Sequence, residues 1–258
     1  MGDVIRSLDD QISLWQTYGA FQRCFAMAQT NNSSAAATTT SGYVTMQKYP
    51  TEITVPTLGT GVTGALCTRL NMVNEDTSTG LIAALATNLG NINMSTGTFT
   101  DGSAMPTRSV KNASVTTSAQ LVVAVVTVAV TATTPTVTIT YTDQDGNGSQ
   151  TATLVLPTSP GINSAFLVNP HLATDDTGIR DITNVTKSAG SAGTIVFYGL
   201  HVLKYQTQSS AAALANIPVS NYGVVPWIAA GGDAIQFYRV GTNTSSNIIA
   251  NVTLQPDN

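Results

Sequence analysis

The stretch TVTITYTDQDGNGSQTATLVLP, residues 136–157, decides how this chain is read. Val137, Ile139 and Tyr141 alternate with threonines, so the apolar side chains share one face of an extended strand. TATLVLP, 151–157, is apolar again after a polar interval. That interval holds Asp-Gly and Asn-Gly pairs, which tolerate positive φ and favour short hairpin turns. The competing reading is a metal site. Asp143, Asp145, Asn147 and Gly148 stand where a helical calcium loop has its first, third, fifth and sixth positions. Such a loop also needs a bidentate Glu at its twelfth position and a helix on each side. Leu154 occupies that position, and the flanks are β-patterned. The reading is therefore an antiparallel hairpin, with a β-type calcium site on Asp143, Asp145 and Asn147 as the alternative.

The same pattern spreads outward. LVVAVVTVAV at 121–130, AFLVNP at 165–170 and TIVFYGLHVLKY at 194–205 read as further strands. Gly, Pro, Asn and Asp clusters separate them at the spacing of a sandwich or barrel. AFQRCFAMAQ (20–29), Tyr43 to Lys48, ALCTRLNMV (65–73), AIQFYRV (234–240) and NIIANVTL (247–254) are also strand-like. Two helices are expected. Over 3–17, Ile5, Leu8, Ile12 and Trp15 recur at steps of three and four, with Asp3 as cap and Gly19 as stop. LIAALATNLG, 81–90, reads as a short helix ending at Gly90. Polar linkers fall at 31–42 and 209–216, and 95–106 reads as a loop. The expected fold is mainly β: a jelly-roll-like β-sandwich with an N-terminal helix and extended arms. Its segments are an N-terminal helix or arm (1–30), a middle segment (31–106), a sandwich core (107–205) and a linker with C-terminal strands (206–258).

Composition narrows the function. Charged residues are 9 % of the 258, against about 25 % in an average domain. Thr, Ser, Asn, Ala and Gly fill the difference, as suits β-sheet in an assembly more than a cytosolic enzyme. The ten Lys and Arg are scattered and the net charge is −4, so direct nucleic-acid binding is not expected. No apolar run is long enough to span a bilayer as a helix, so no membrane partner is expected. The opening, with Asp3, Asp9 and Asp10, does not read as a secretory leader. Cys24 and Cys67 read as two free buried thiols, or as a single bridge.

Other chemistry is sparse. Asp175, Asp176 and Asp181 surround Arg180, and paired carboxylates suit acid–base work. No nucleophile or aromatic shelf accompanies them, so the reading is a turn at Thr177-Gly178 with a local Asp–Arg pair. His171 and His201, the only histidines, lack metal-ligand spacing. LGTGVTG, 58–64, lacks the Lys of a phosphate loop. Neither a cofactor nor a catalytic residue is expected.

Three stretches carry a family likeness: 136–157 as quoted, HLATDDTGIRDITNVTKSAGSAGTIVFYGLHVL (171–203) and GGDAIQFYRVGTNTSSNIIANVTL (231–254). Together they resemble a family of tailed-bacteriophage virion structural proteins. In that family a strand ending in Tyr-Thr and a polar turn precede a Gly-Asp-Thr-Gly-Val-Arg-like motif, a Ser/Thr/Gly run and an aliphatic strand. Here the motif reads Asp175-Asp176-Thr177-Gly178-Ile179-Arg180, with Asp in place of the first Gly. SLDDQISLW near the start looks like the family's opening helix. The likeness is best over 136–205 and poor over 30–100. It implies a non-enzymatic particle component, most specifically a capsid decoration, or cement, protein. Its partner would be the major capsid protein, its form a homotrimer near threefold positions, and its place the virion. Arms at 1–30 or 206–258 would bury Trp15, Phe21, Phe25 and Trp227 at subunit or capsid contacts. The rivals are a neck, head-fibre or tail protein, a host-surface-binding β-sandwich, and a depolymerase.

Overall fold

The hairpin forms as read. Thr136–Asp143 pairs antiparallel with Gln150–Val155, Val137 opposite Leu154 and Ile139 opposite Ala152. Val137, Ile139, Tyr141 and Asp143 are buried, and the alternating threonines are half-buried. The structure, a computed structural model, describes residues 22–28, 46–49, 52–54, 64–74, 80–106, 108–110, 113–115, 119, 121–190, 192–207, 227–229, 234–240 and 248–256. The helix expected at 3–17, the linkers at 31–42 and 209–216, Trp15 and Phe21 lie outside these residues.

Strands dominate the described chain. The first eight are β1 (Gln22–Ala28), β2 (Met46–Lys48), β3 (Ile53–Thr54), β4 (Gly64–Asn74), β5 (Gly80–Asn93), β6 (Phe99–Asp101), β7 (Arg108–Val110) and β8 (Ala113–Val115). Then come β9 (Leu121–Thr131), β10 (Thr136–Asp143), β11 (Gln150–Val155), β12 (Ser164–Leu167), β13 (Ile179–Lys187) and β14 (Ala192–Thr207). The last are β15 (Trp227–Ala229), β16 (Ala234–Val240) and β17 (Ile248–Pro256). A single 3₁₀ turn, Asn169–His171, is the only helical element among the described residues. The expectation of a mainly β chain holds.

The largest sheet runs β3-β16-β2-β12-β9-β14-β5-β6. It closes on itself, because β16 also pairs with β5 from Ala234 opposite Ala86 to Val240 opposite Gly80. Six strands thus form a barrel-like ring. Met46, Ala84, Val123, Ala165, Leu200 and Tyr238, one from each strand of the ring, pack in one buried cluster. A ring this small is filled by its own side chains. The second sheet, β11-β10-β13, covers the outside of one wall. Val137, Ile139, Leu154 and Ile182 there pack against Val122, Val126, Phe166 and Phe197 of the ring. The strands read in sequence are therefore shared between a closed ring and a covering layer. Pairing crosses the expected segment boundaries: β5 and β16 close the ring around β9, β12 and β14.

The helix expected at 81–90 is a correction. These residues lie within β5, and Leu81 to Ala86 are all buried. Ala and Leu favour helix locally, but here both faces of a barrel wall are covered, which suits a continuous apolar strand. The loop expected at 95–106 also contains a short strand, β6, opposite Gly90 to Ile92 of β5.

A four-stranded sheet, β1-β17-β4-β15, joins segments far apart in sequence. Cys24 on β1 lies opposite Val252, and Cys67 on β4 lies opposite Leu254. The two strands flank β17, which puts them about 9.6 Å apart. Disulfides need Cα atoms within about 6.8 Å. The backbone therefore does not fit a bridge between Cys24 and Cys67 within one chain.

Candidate functional site

The two acidic segments singled out in the sequence meet at one end of the β10–β13 pair. Asp143 is the last residue of β10 and lies opposite Ile179, the first of β13. The turn after β10 folds around the Asp143 carboxylate. Its Oδ1 accepts the N–H groups of Asp145 and Asn147, both at 2.8 Å, and its Oδ2 accepts Asn147 Nδ2 at 2.8 Å. Burial alone would raise this carboxyl. The bonds from the Asn147 side chain and from the N–H groups of Asn147, Asp145 and Gly146 outweigh that and hold it below its ordinary value. Gly146 takes a φ of 94°, a conformation glycine adopts readily, and Ser149 takes one of 63° although it carries a Cβ.

Gln144 links this turn to the other. Its Oε1 accepts the N–H groups of Thr177, at 2.9 Å, and Gly178, at 3.2 Å. Its backbone carbonyl accepts Arg180 Nε at 2.9 Å. The expected turn at Thr177-Gly178 is present, but Arg180 reaches the hairpin instead of pairing with an Asp of its own segment. Below them, the Tyr141 hydroxyl donates to Asp176 Oδ2 at 2.5 Å and accepts the Ala173 N–H at 2.9 Å. Burial first, and then the Asp176 carboxylate, push this phenol up to about 12. It stays a donor at any ordinary pH. Asp175 adopts a φ of 74°. This is the position where the resembled motif has Gly, and Asp is among the few residues that tolerate it.

Asp181 sits apart from this network. Burial, and then the neighbouring Asp101, raise its carboxyl above the ordinary value. His171 lies in the 3₁₀ turn and His201 on β14. Among the described residues, no group of three or more His, Cys, Asp or Glu is placed to hold a metal ion. Asp143, the centre of the alternative calcium reading, directs both oxygens at donors of its own turn. Phe25 lies on β1 opposite Asn251, and Trp227 on β15 opposite Leu66.

A second polar cluster escaped the sequence reading. Lys48, Glu52, Gln236 and Tyr238 come together where β2, β3 and β16 meet. Lys48 and Gln236 are buried although polar. The available signals were a Lys four residues before a Glu, and a Gln interrupting the apolar strand AIQFYRV. Neither says that strands so distant in sequence become neighbours.

The chemistry of the acidic site is that of a clasp. Asp143 holds its own turn together, and Gln144, Arg180 and the Tyr141–Asp176 bond tie the two segments to each other. No protein-family model and no curated protein matches this chain, so the likeness to virion proteins rests on the residues quoted for it.

Proposed function

We propose that this chain is a non-enzymatic structural protein of a tailed-phage particle, a capsid decoration protein that stabilises the head by binding the major capsid protein. The observation that carries this reading is the clasp. The residues most suggestive of chemistry, Asp143, Asp176 and Arg180, bond to the loops around them. They lie inside the stretch that resembles virion proteins. The fit of Asp175 to a Gly position of that motif adds support.

The proposed mechanism is mechanical. A ring with a covering layer, in place of the jelly-roll-like sandwich expected from the strand pattern, forms a rigid body. Three copies near a threefold position grip adjoining capsid subunits through chain outside the ring, at 1–30 or in the parts of 206–258 other than β16. Contacts repeated across joints resist internal pressure by avidity and not by one strong site. A surface with few charges limits repulsion among crowded copies.

The test is add-back. Purified protein is mixed with heads that lack it, and the heads are pelleted. The reading expects saturable binding in multiples of three per threefold position and heads that withstand more heat. Failure to bind heads, together with binding to tails or to host cells, would replace it with a rival station or a receptor-binding role.

A further inference from the structure

The cluster of Lys48, Glu52, Gln236 and Tyr238 is arranged around one carboxamide, with Glu52 at its exposed edge. Lys48 lies directly opposite Tyr238 across the β2–β16 pair. Gln236 is two residues from Tyr238 and therefore on the same face of β16. Lys48 is 8 % exposed, Gln236 2 % and Tyr238 0 %. The Tyr238 hydroxyl donates to Gln236 Oε1 at 2.6 Å. Gln236 Nε2 donates to Glu52 Oε2 at 2.9 Å. Lys48 Nζ stands 3.4 Å from that same Glu52 oxygen and 3.3 Å from the Tyr49 carbonyl. One carboxylate oxygen thus touches both an amine and the nitrogen of a primary amide, while a phenol polarises the amide carbonyl. An ordinary ion pair needs neither of the last two contacts.

We propose that Lys48 and Gln236 join in an intramolecular isopeptide bond, formed without any added enzyme and releasing ammonia. Glu52 takes a proton from the Lys48 ammonium. The freed lone pair of Nζ attacks Gln236 Cδ, and the carbonyl electrons move onto Oε1, where the Tyr238 hydroxyl holds the developing charge. Glu52 then passes its proton to Nε2, as a general acid. The carbonyl re-forms, the Cδ–Nε2 bond breaks, and Nζ loses its second proton to the departing ammonia. Lysine ammonium and glutamine amide become one secondary amide and one ammonium ion, with no oxidant, reductant or co-reactant. Burial, then the neighbouring Tyr198 and Glu52, raise the Tyr238 phenol, so it remains a donor throughout.

The bond would tie β2, a strand of three residues, to β16 and lock the ring beside its shortest pairing, the two residue pairs of β2 with β12. The two residues are far apart in sequence, so the cross-link closes a long loop of chain. It goes beyond the particle reading and stands or falls without it.

The experiment is mass spectrometry of the purified full chain, folded and held at neutral pH. The proposal expects an intact mass lower than the sequence mass by one ammonia. A tryptic digest should give one branched peptide containing Lys48 and Gln236. Lys48→Arg and Glu52→Gln should both keep the full sequence mass. Should Lys48→Arg fail to fold, Glu52→Gln alters only a partly exposed side chain and supplies the comparison. Folded wild-type protein at its full sequence mass would overturn the proposal. So would an ammonia loss that maps to a succinimide at Asn147-Gly148.

Discussion

Tyr141 joins two loops through one hydroxyl, donating to Asp176 and accepting from Ala173. Tyr141→Phe keeps the buried ring and removes both bonds. Chemical denaturation should show a loss of about 1–3 kcal/mol, since one partner is ionised. Asp175 holds a φ of 74°. Asp175→Gly should melt no lower than wild type, whereas Asp175→Val should lose about 1–2 kcal/mol, because a β-branched side chain pays for the left-handed region without the short polar group that lets Asp visit it. Asp181 gives a pH test. Its carboxyl is raised above the ordinary 3.8 by burial and by Asp101. Folding therefore disfavours its ionised form, a penalty present at neutral pH and relieved as pH falls through the raised value. Asp181→Asn should raise the melting temperature at pH 7, and the gain should vanish as the pH approaches 3.8. Asp143 works with the opposite sign: its depressed carboxyl stabilises the fold above the ordinary value and stops doing so in acid.

At the scale of elements, the sequence spoke clearly where one face was buried. The alternation over 136–142 named the strand, its face and the turn that follows, because the period of two appears directly in the residues. It misled at 81–90, where Leu and Ala mimic a helix and both faces of the strand are covered. The punctuation there belongs to Gly90, which takes a φ of 130°. Asn88 Oδ1 accepts the Gly90 N–H at 2.9 Å, and the pairing with β14 shifts register beside it. A Cβ on Gly90 would lie 2.6 Å from the Phe99 ring and 2.9 Å from the Thr100 carbonyl oxygen. Gly90→Ala should therefore cost about 1–3 kcal/mol, read as a lower midpoint in urea.

For the whole molecule, the closure of the ring was not legible. It depends on β16 reaching both β2 and β5, pairings that no local pattern encodes. The candidate site was legible in half. Its two acidic segments stood out, but their meeting through Gln144 and Tyr141 follows from the β10–β13 register. The particle reading joins these scales: a closed body, an internally bonded clasp and a surface with little charge suit a subunit that is one of many. Gold-labelled antibody against this chain, imaged on intact phage particles by negative-stain microscopy, tests that reading most directly. Labels spread over the head are the predicted result. Labels confined to the neck or tail would contradict the decoration role. An unlabelled particle with the epitope shown to be accessible would contradict a place in the virion altogether.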